Sequence, residues 1–121
     1  MRNQPKYHFF KNTTYALNGL VDIIKHETSF KIELILALFL IPVIIFIDFT
    51  LVYKLVMFIT LMGVLLAETI NSAIERVVDL VTLEHHPMAG RAKDVGSTMV
   101  FLSIGVFVIT WGMIFYENFS S

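Results

Sequence analysis

Apolar and polar residues are unevenly spread along this chain. In residues 1–31 they interleave: Phe9, Phe10, Leu17, Leu20, Val21 and Ile24 fall among Lys11, Asn12, Asn18, Asp22 and Lys25. That pattern predicts an amphipathic helix capped by Asn12, Thr13 or Thr14 and running to about residue 27, suited to the surface of a membrane. Three apolar blocks follow, at 32–49, 51–80 and 97–116, the second apolar only as far as Ala67. Each has the length that a membrane-spanning helix needs. The predicted fold is all-α: one membrane-embedded domain over residues 1–121, with an N-terminal surface helix and three transmembrane helices. Pro42 falls inside the first block, where neighbouring helices can satisfy the carbonyl it frees. Asp48, Phe49 and Thr50 read as a tight turn. Residues 81–96, VTLEHHPMAGRAKDVG, read as a polar connection punctuated by Pro87 and Gly90. In the third block Gly105 and Gly112 predict close helix contact, and Trp111 and Tyr116 mark the far interface.

Composition supports this reading. Hydrophobic residues make up 56% of 121, and a soluble fold of that length cannot bury so much apolar surface. Cysteine is absent, which excludes disulfides and thiolate metal sites. The net charge of −1 and the lack of a dense basic cluster argue against nucleic acid as a partner. Arg2, Lys6, Lys11, Lys25 and Lys31 precede the first span. Arg76, Arg91 and Lys93 lie between the second and third, and the first turn has only Lys54. By the positive-inside rule the N-terminus and the second loop are cytoplasmic and the C-terminus lies outside.

The second block does not stay apolar to its end. Glu68, Asn71, Ser72, Glu75 and Asp79 follow Ala67 at offsets that share one helix face. Glu68 and Glu75 are two turns apart, about 10 Å along the axis. For Asp79 the solvated end of an emerging helix is sufficient to account for the charge. Glu68 differs, because Val64 and Leu65 stand one turn back; a carboxylate at such a boundary suits a general base. Glu27, Glu33, Glu84, His85, His86, Arg91, Lys93 and Asp94 belong to the same side of the membrane. Carboxylates with a lysine point to Mg2+ and phosphate. The His85–His86 pair lacks a third ligand at zinc spacing, and the glycine-rich nucleotide loops are missing. The residues by themselves indicate an interfacial site that handles phosphate. A proton pathway would need carboxylates in several spans, and the third block has none.

The run 68-ETINSAIERVVDL-80 followed by 84-EHHPMAGRAKDVGS-97 closely resembles the small prokaryotic diacylglycerol kinase family. The resemblance extends to 15-YALNGL-20, 27-ETSFKIE-33 and 109-ITW-111. It implies a homotrimeric bacterial inner-membrane enzyme, with sites shared between subunits, that transfers the γ-phosphate of MgATP to diacylglycerol and forms phosphatidic acid. It casts Glu68 as the base, Glu27 and Glu75 as ligands of the Mg2+ on ATP, and Lys93 as the cation against phosphate. Tyr15, Glu84, His85, His86 and Asp94 would surround the nucleotide. Asn71 and Ser97 would orient the site, and Glu33 and Asp48 would line or support the lipid pocket. The chain departs from the diacylglycerol branch at Ala16, Leu17 and Asn18, where Ser, Trp and Lys are common. His86-Pro87 and ERVVDLV look more like the sister branch, whose acceptor is undecaprenol.

Overall fold

A computed structural model describes residues 9–120. Arg2, Lys6 and the rest of the first eight residues lie outside the described residues, as does Ser121. Four helices follow in order: α1 (Phe9–His26), α2 (Thr28–Phe46), α3 (Leu51–Val81) and α4 (Pro87–Phe119). The last three are long and apolar enough to cross a membrane, with mean hydropathies of 2.3, 1.9 and 2.1. The fold is therefore all-α, with a short N-terminal helix and three membrane-length helices, as the apolar blocks predict.

Helix boundaries differ from the sequence pattern for local reasons. Asn12, Thr13 and Thr14 do not cap α1, which is already under way at Phe9. The Thr13 and Thr14 hydroxyls instead donate back to the carbonyls of Phe9 (2.9 Å) and Phe10 (3.0 Å), the internal bond open to threonine within a helix. Between α1 and α2 only Glu27 is extended, at φ −117° and ψ 107°. Backbone bonds bridge it on both sides, from Glu27 N–H to Ile23 O at 2.9 Å and from Lys31 N–H to Glu27 O at 3.1 Å. A single residue thus forms the corner, and the first span starts at Thr28 rather than residue 32. At its other end Lys54 Nζ donates to Ile45 O at 2.9 Å, satisfying a carbonyl left open by the α2 C-terminus.

The stretch 81–96 is a loop only at 82–86. His86 Nδ1 accepts the Met88 N–H at 3.1 Å and Pro87 occupies the first turn, a strong helix start. Gly90 is helical, and no described glycine has positive φ. α4 therefore carries Arg91, Lys93 and Asp94 on the spanning helix itself.

α3 is the central helix, packed on α4 and α2. Ala37, Met57, Leu61, Leu65, Trp111 and Ile114 form the core between them. Trp111 is buried among the helices rather than turned outward, and Nε1–H is shared between Met57 O and Thr60 Oγ1, both at 3.1 Å. An indole can be buried there because α3 offers its N–H two acceptors. Gly105 and Gly112 do not serve helix contact within the chain, since a Cβ at either meets nothing within 4 Å. The close approach of α3 and α4 falls at Gly96. Apolar side chains such as Phe39 (72% exposed) and Phe101 (73%) cover the outside, as lipid contact requires.

Candidate active site

α2 leaves the Glu27 corner, α3 returns and α4 leaves again. The start of α2, the end of α3, the 82–86 loop and the start of α4 therefore share one end of the bundle. There a cavity of about 320 Å3 opens between them, lined by Glu27, Glu68, Asn71, Glu75 and Ser97, together with Ser29 and Ser72. Of these, Glu27, Glu68, Asn71, Glu75 and Ser97 are site residues expected from the sequence, now around one cavity. Ser72 Oγ donates to Glu27 Oε1 at 2.7 Å, and Asn71 Nδ2 donates to Glu75 Oε1 at 3.1 Å. α3 thus fixes one carboxylate of its own and one from the corner.

Asn71 is buried, and its Oδ1 meets no donor among the described residues. It lies against Gly96, where a Cβ would collide with it. Glycine at this position is what lets Asn71 turn its amide toward Glu75.

Glu33 lies on the apolar side. It heads a second cavity of about 190 Å3 walled by Leu36, Leu40, Leu61, Leu65, Ile104 and Phe107. Its carboxyl is close enough to the Glu68 carboxyl to interact with it, while Oε2 is buried without a donor. The polar and apolar cavities therefore meet at two facing carboxyl groups, and a hydroxyl placed there would supply the missing donor.

A third cavity, also of about 190 Å3, holds Asp79, Glu84, His85, His86 and Lys93. Lys93 Nζ donates to Asp79 Oδ1 at 2.7 Å, so Asp79 is more than a solvated helix end: it tethers the lysine across the loop. Asp79 lies one turn beyond Glu75, about 6 Å along the axis, so a nucleotide-sized ligand can reach from one polar cavity to the other.

Three predicted residues stand apart. Tyr15 is on α1, roughly 18 Å along the axis from Glu27. Asp94 follows Lys93 but does not line the cavity. Asp48 lies in the turn after α2, roughly 20 Å from Glu33 by helix rise, at the far end of the bundle. Sequence reasoning left Ser72 without a role although its spacing put it on the polar face. It also missed Arg76, which pairs with Asp22 and approaches Glu27; nothing in the spacing links a residue of α3 to one of α1.

Among the described residues no three His, Asp or Glu side chains form a metal cage. Glu27 and Glu75 on one cavity wall do fit Mg2+, which takes one or two carboxylates and completes its shell with phosphate oxygens and water.

Comparison with known proteins agrees with this geometry. The model of the prokaryotic diacylglycerol kinase family matches residues 14–115. A diacylglycerol kinase of Haemophilus influenzae is 39% identical over 90% of this chain and 92% of its own length. One from Escherichia coli is 34% identical over 90% and 89%. An undecaprenol kinase of Bacillus subtilis is 29% identical over 83% of each. With a three-span helical fold and a carboxylate-lined cavity at one end of the bundle, the chain belongs to the prokaryotic diacylglycerol kinase family.

Proposed function

We propose that this protein transfers the γ-phosphate of ATP to the primary hydroxyl of 1,2-diacylglycerol, giving phosphatidic acid and ADP. One observation carries the reading: a polar cavity with two carboxylates suited to a metal and an apolar cavity meet at Glu68 and Glu33. A lipid acceptor stays in the membrane, so its reaction must occur where hydrocarbon ends. The acyl chains lie along the apolar wall of Leu36, Leu61 and Phe107, and the hydroxyl meets the two carboxyls. Glu68 takes the hydroxyl proton as the oxygen attacks the γ-phosphorus and ADP leaves. Glu27 and Glu75 would hold Mg2+, which offsets phosphate charge when bound. Asn71 holds Glu75 in place, and Ser97 lines the same cavity. Lys93, tethered by Asp79, supplies a cation to the phosphates. Glu84, His85 and His86 surround the nucleotide, whereas Tyr15, Asp94 and Asp48, which stand apart from the cavities, take no part in the step. Catalysis of this kind depends on positioning and electrostatics.

The same reading makes the protein a single-domain homotrimer of the bacterial inner membrane. Lys25, Lys31, Arg76, Arg91 and Lys93 at the site end, against Lys54 at the other, support a cytoplasmic site and an outer C-terminus. Undecaprenol is the second reading, favoured by the Bacillus subtilis relative's name and by His86-Pro87. Purified protein in mixed micelles, given labelled ATP and either acceptor, decides between them. Diacylglycerol is expected to be labelled much faster; equal or faster labelling of undecaprenol would overturn the assignment.

A further inference from the structure

One cation beside Glu27 has no part in the chemistry above. Arg76 reaches from α3 back to α1, where Nη1 donates to Asp22 Oδ2. Its Nη2 stops 3.7 Å from Glu27 Oε1, beyond hydrogen-bonding distance. The guanidinium is therefore hydrogen-bonded to Asp22 and makes only a long ion pair with Glu27. Asp22 is steadied in turn by His26, whose Nδ1 lies 3.1 Å from Asp22 Oδ1 and 2.9 Å from the Asp22 carbonyl. Beside this bridge runs an open groove of about 560 Å3 between α1 and α3, walled by Ala16, Gly19 and Ala73. Where small residues leave the helices unfilled, polar bridges join them.

We infer that Asp22 is a positioning residue for the cation site: it holds Arg76 out of hydrogen-bonding distance of Glu27, so that Glu27 stays available to a divalent metal. The inference rests on the reading of Glu27 as a metal ligand. Ser72 Oγ and Arg76 both address the same oxygen, Oε1, which leaves Oε2 as the oxygen for a cation. A guanidinium offers a planar fork and always carries its charge. Without the Asp22 acceptor, the carboxylate left to it is Glu27, and closing the remaining gap would turn a long ion pair into a hydrogen-bonded one that competes with a metal for Glu27. Glu27 is open to this because it is the lone extended residue at the α1–α2 corner.

The test follows Mn2+ bound to the full-length protein in detergent with a non-hydrolysable ATP analogue, read by electron paramagnetic resonance. Glu27→Gln is expected to lose the bound Mn2+; its retention would remove the Glu27 reading and this inference with it. Asp22→Asn is expected to weaken Mn2+ binding about five-fold, equivalent to roughly 1 kcal/mol. The Mg2+ half-saturation of turnover should rise in parallel, with kcat at saturating Mg2+ and the thermal midpoint close to wild type. The double variant Asp22→Asn/Arg76→Gln is expected to recover the affinity, because the cation that would collapse onto Glu27 is gone. If Glu27→Gln loses Mn2+ while Asp22→Asn binds it as wild type does, the Asp22 inference alone fails. It also fails if the double variant is as weak as the single or weaker, which is what a merely structural bridge predicts.

Discussion

Replacing Gly96 by alanine probes the contact on which the cavity depends. A Cβ at residue 96 would strike Asn71 Oδ1, and would lie 3.3 Å from Asn71 Cγ and 3.7 Å from Ile74 Cδ1. The obstacle is a buried side chain held by its bond to Glu75 at 3.1 Å, so relief requires Asn71 to rotate or α4 to move away from α3. Rotation gives up a hydrogen bond worth about 1 kcal/mol and forces a rotamer change costing about 1 kcal/mol. Alanine returns about 1 kcal/mol of helix propensity. The net loss of stability is therefore small, about 1 kcal/mol. Turnover suffers more, because Glu75 loses the group that fixes it and the cavity wall shifts. A misplacement of about 1 Å can lower the rate about a hundredfold, and a drop of tenfold or more is expected in a micelle assay of labelled phosphate transfer, beside a thermal midpoint lowered by only a few degrees. Gly63→Ala is the control, since a methyl there meets nothing within 4 Å and should preserve turnover. A Gly96→Ala protein with full turnover and a raised midpoint would refute the close approach of α3 and α4 at Asn71.

Two other perturbations separate packing from chemistry. Trp111→Phe removes the indole N–H that serves Met57 O and Thr60 Oγ1; a loss of about 1 kcal/mol should lower the thermal midpoint and spare the KM for ATP, and an unchanged midpoint would count against a buried bond. Asp79→Asn weakens the tether on Lys93; because both groups are nearly half exposed, the thermal midpoint should barely move, while the KM for ATP rises severalfold in steady-state titrations.

Much of this molecule is legible in its sequence because membrane constraints are coarse. Three long, unbroken apolar blocks read as helices, since lipid offers no partner to an open backbone and barrel strands are short and alternating. The polar face of α3 is legible for a related reason: carboxylates beside an apolar run are costly, and regular helical offsets place them together on one side where a site can use them. Helix ends are less visible. The start of α4 at Pro87 depends on the His86 ring accepting one backbone N–H, and the α1–α2 corner depends on one residue, Glu27. The roles of Trp111 and Gly96 come from what faces them across a helix pair, which spacing along one helix does not contain. Arg76 and Asp22, distant in sequence and on different helices, are a stronger case of the same kind. Taken singly, each is an ordinary charge on a polar face.

The central claim is that Glu68, at the meeting of the polar and apolar cavities, takes the proton from a lipid hydroxyl. It is tested most directly by comparing wild type with Glu68→Gln for transfer of labelled γ-phosphate from ATP to diacylglycerol in mixed micelles, with binding of a non-hydrolysable ATP analogue measured on the same preparations. Gln keeps the size and polarity of the side chain and removes its basicity. The account predicts that kcat falls at least about a hundredfold while analogue binding stays close to wild type. A Glu68→Gln protein that keeps more than about a tenth of wild-type turnover would contradict it.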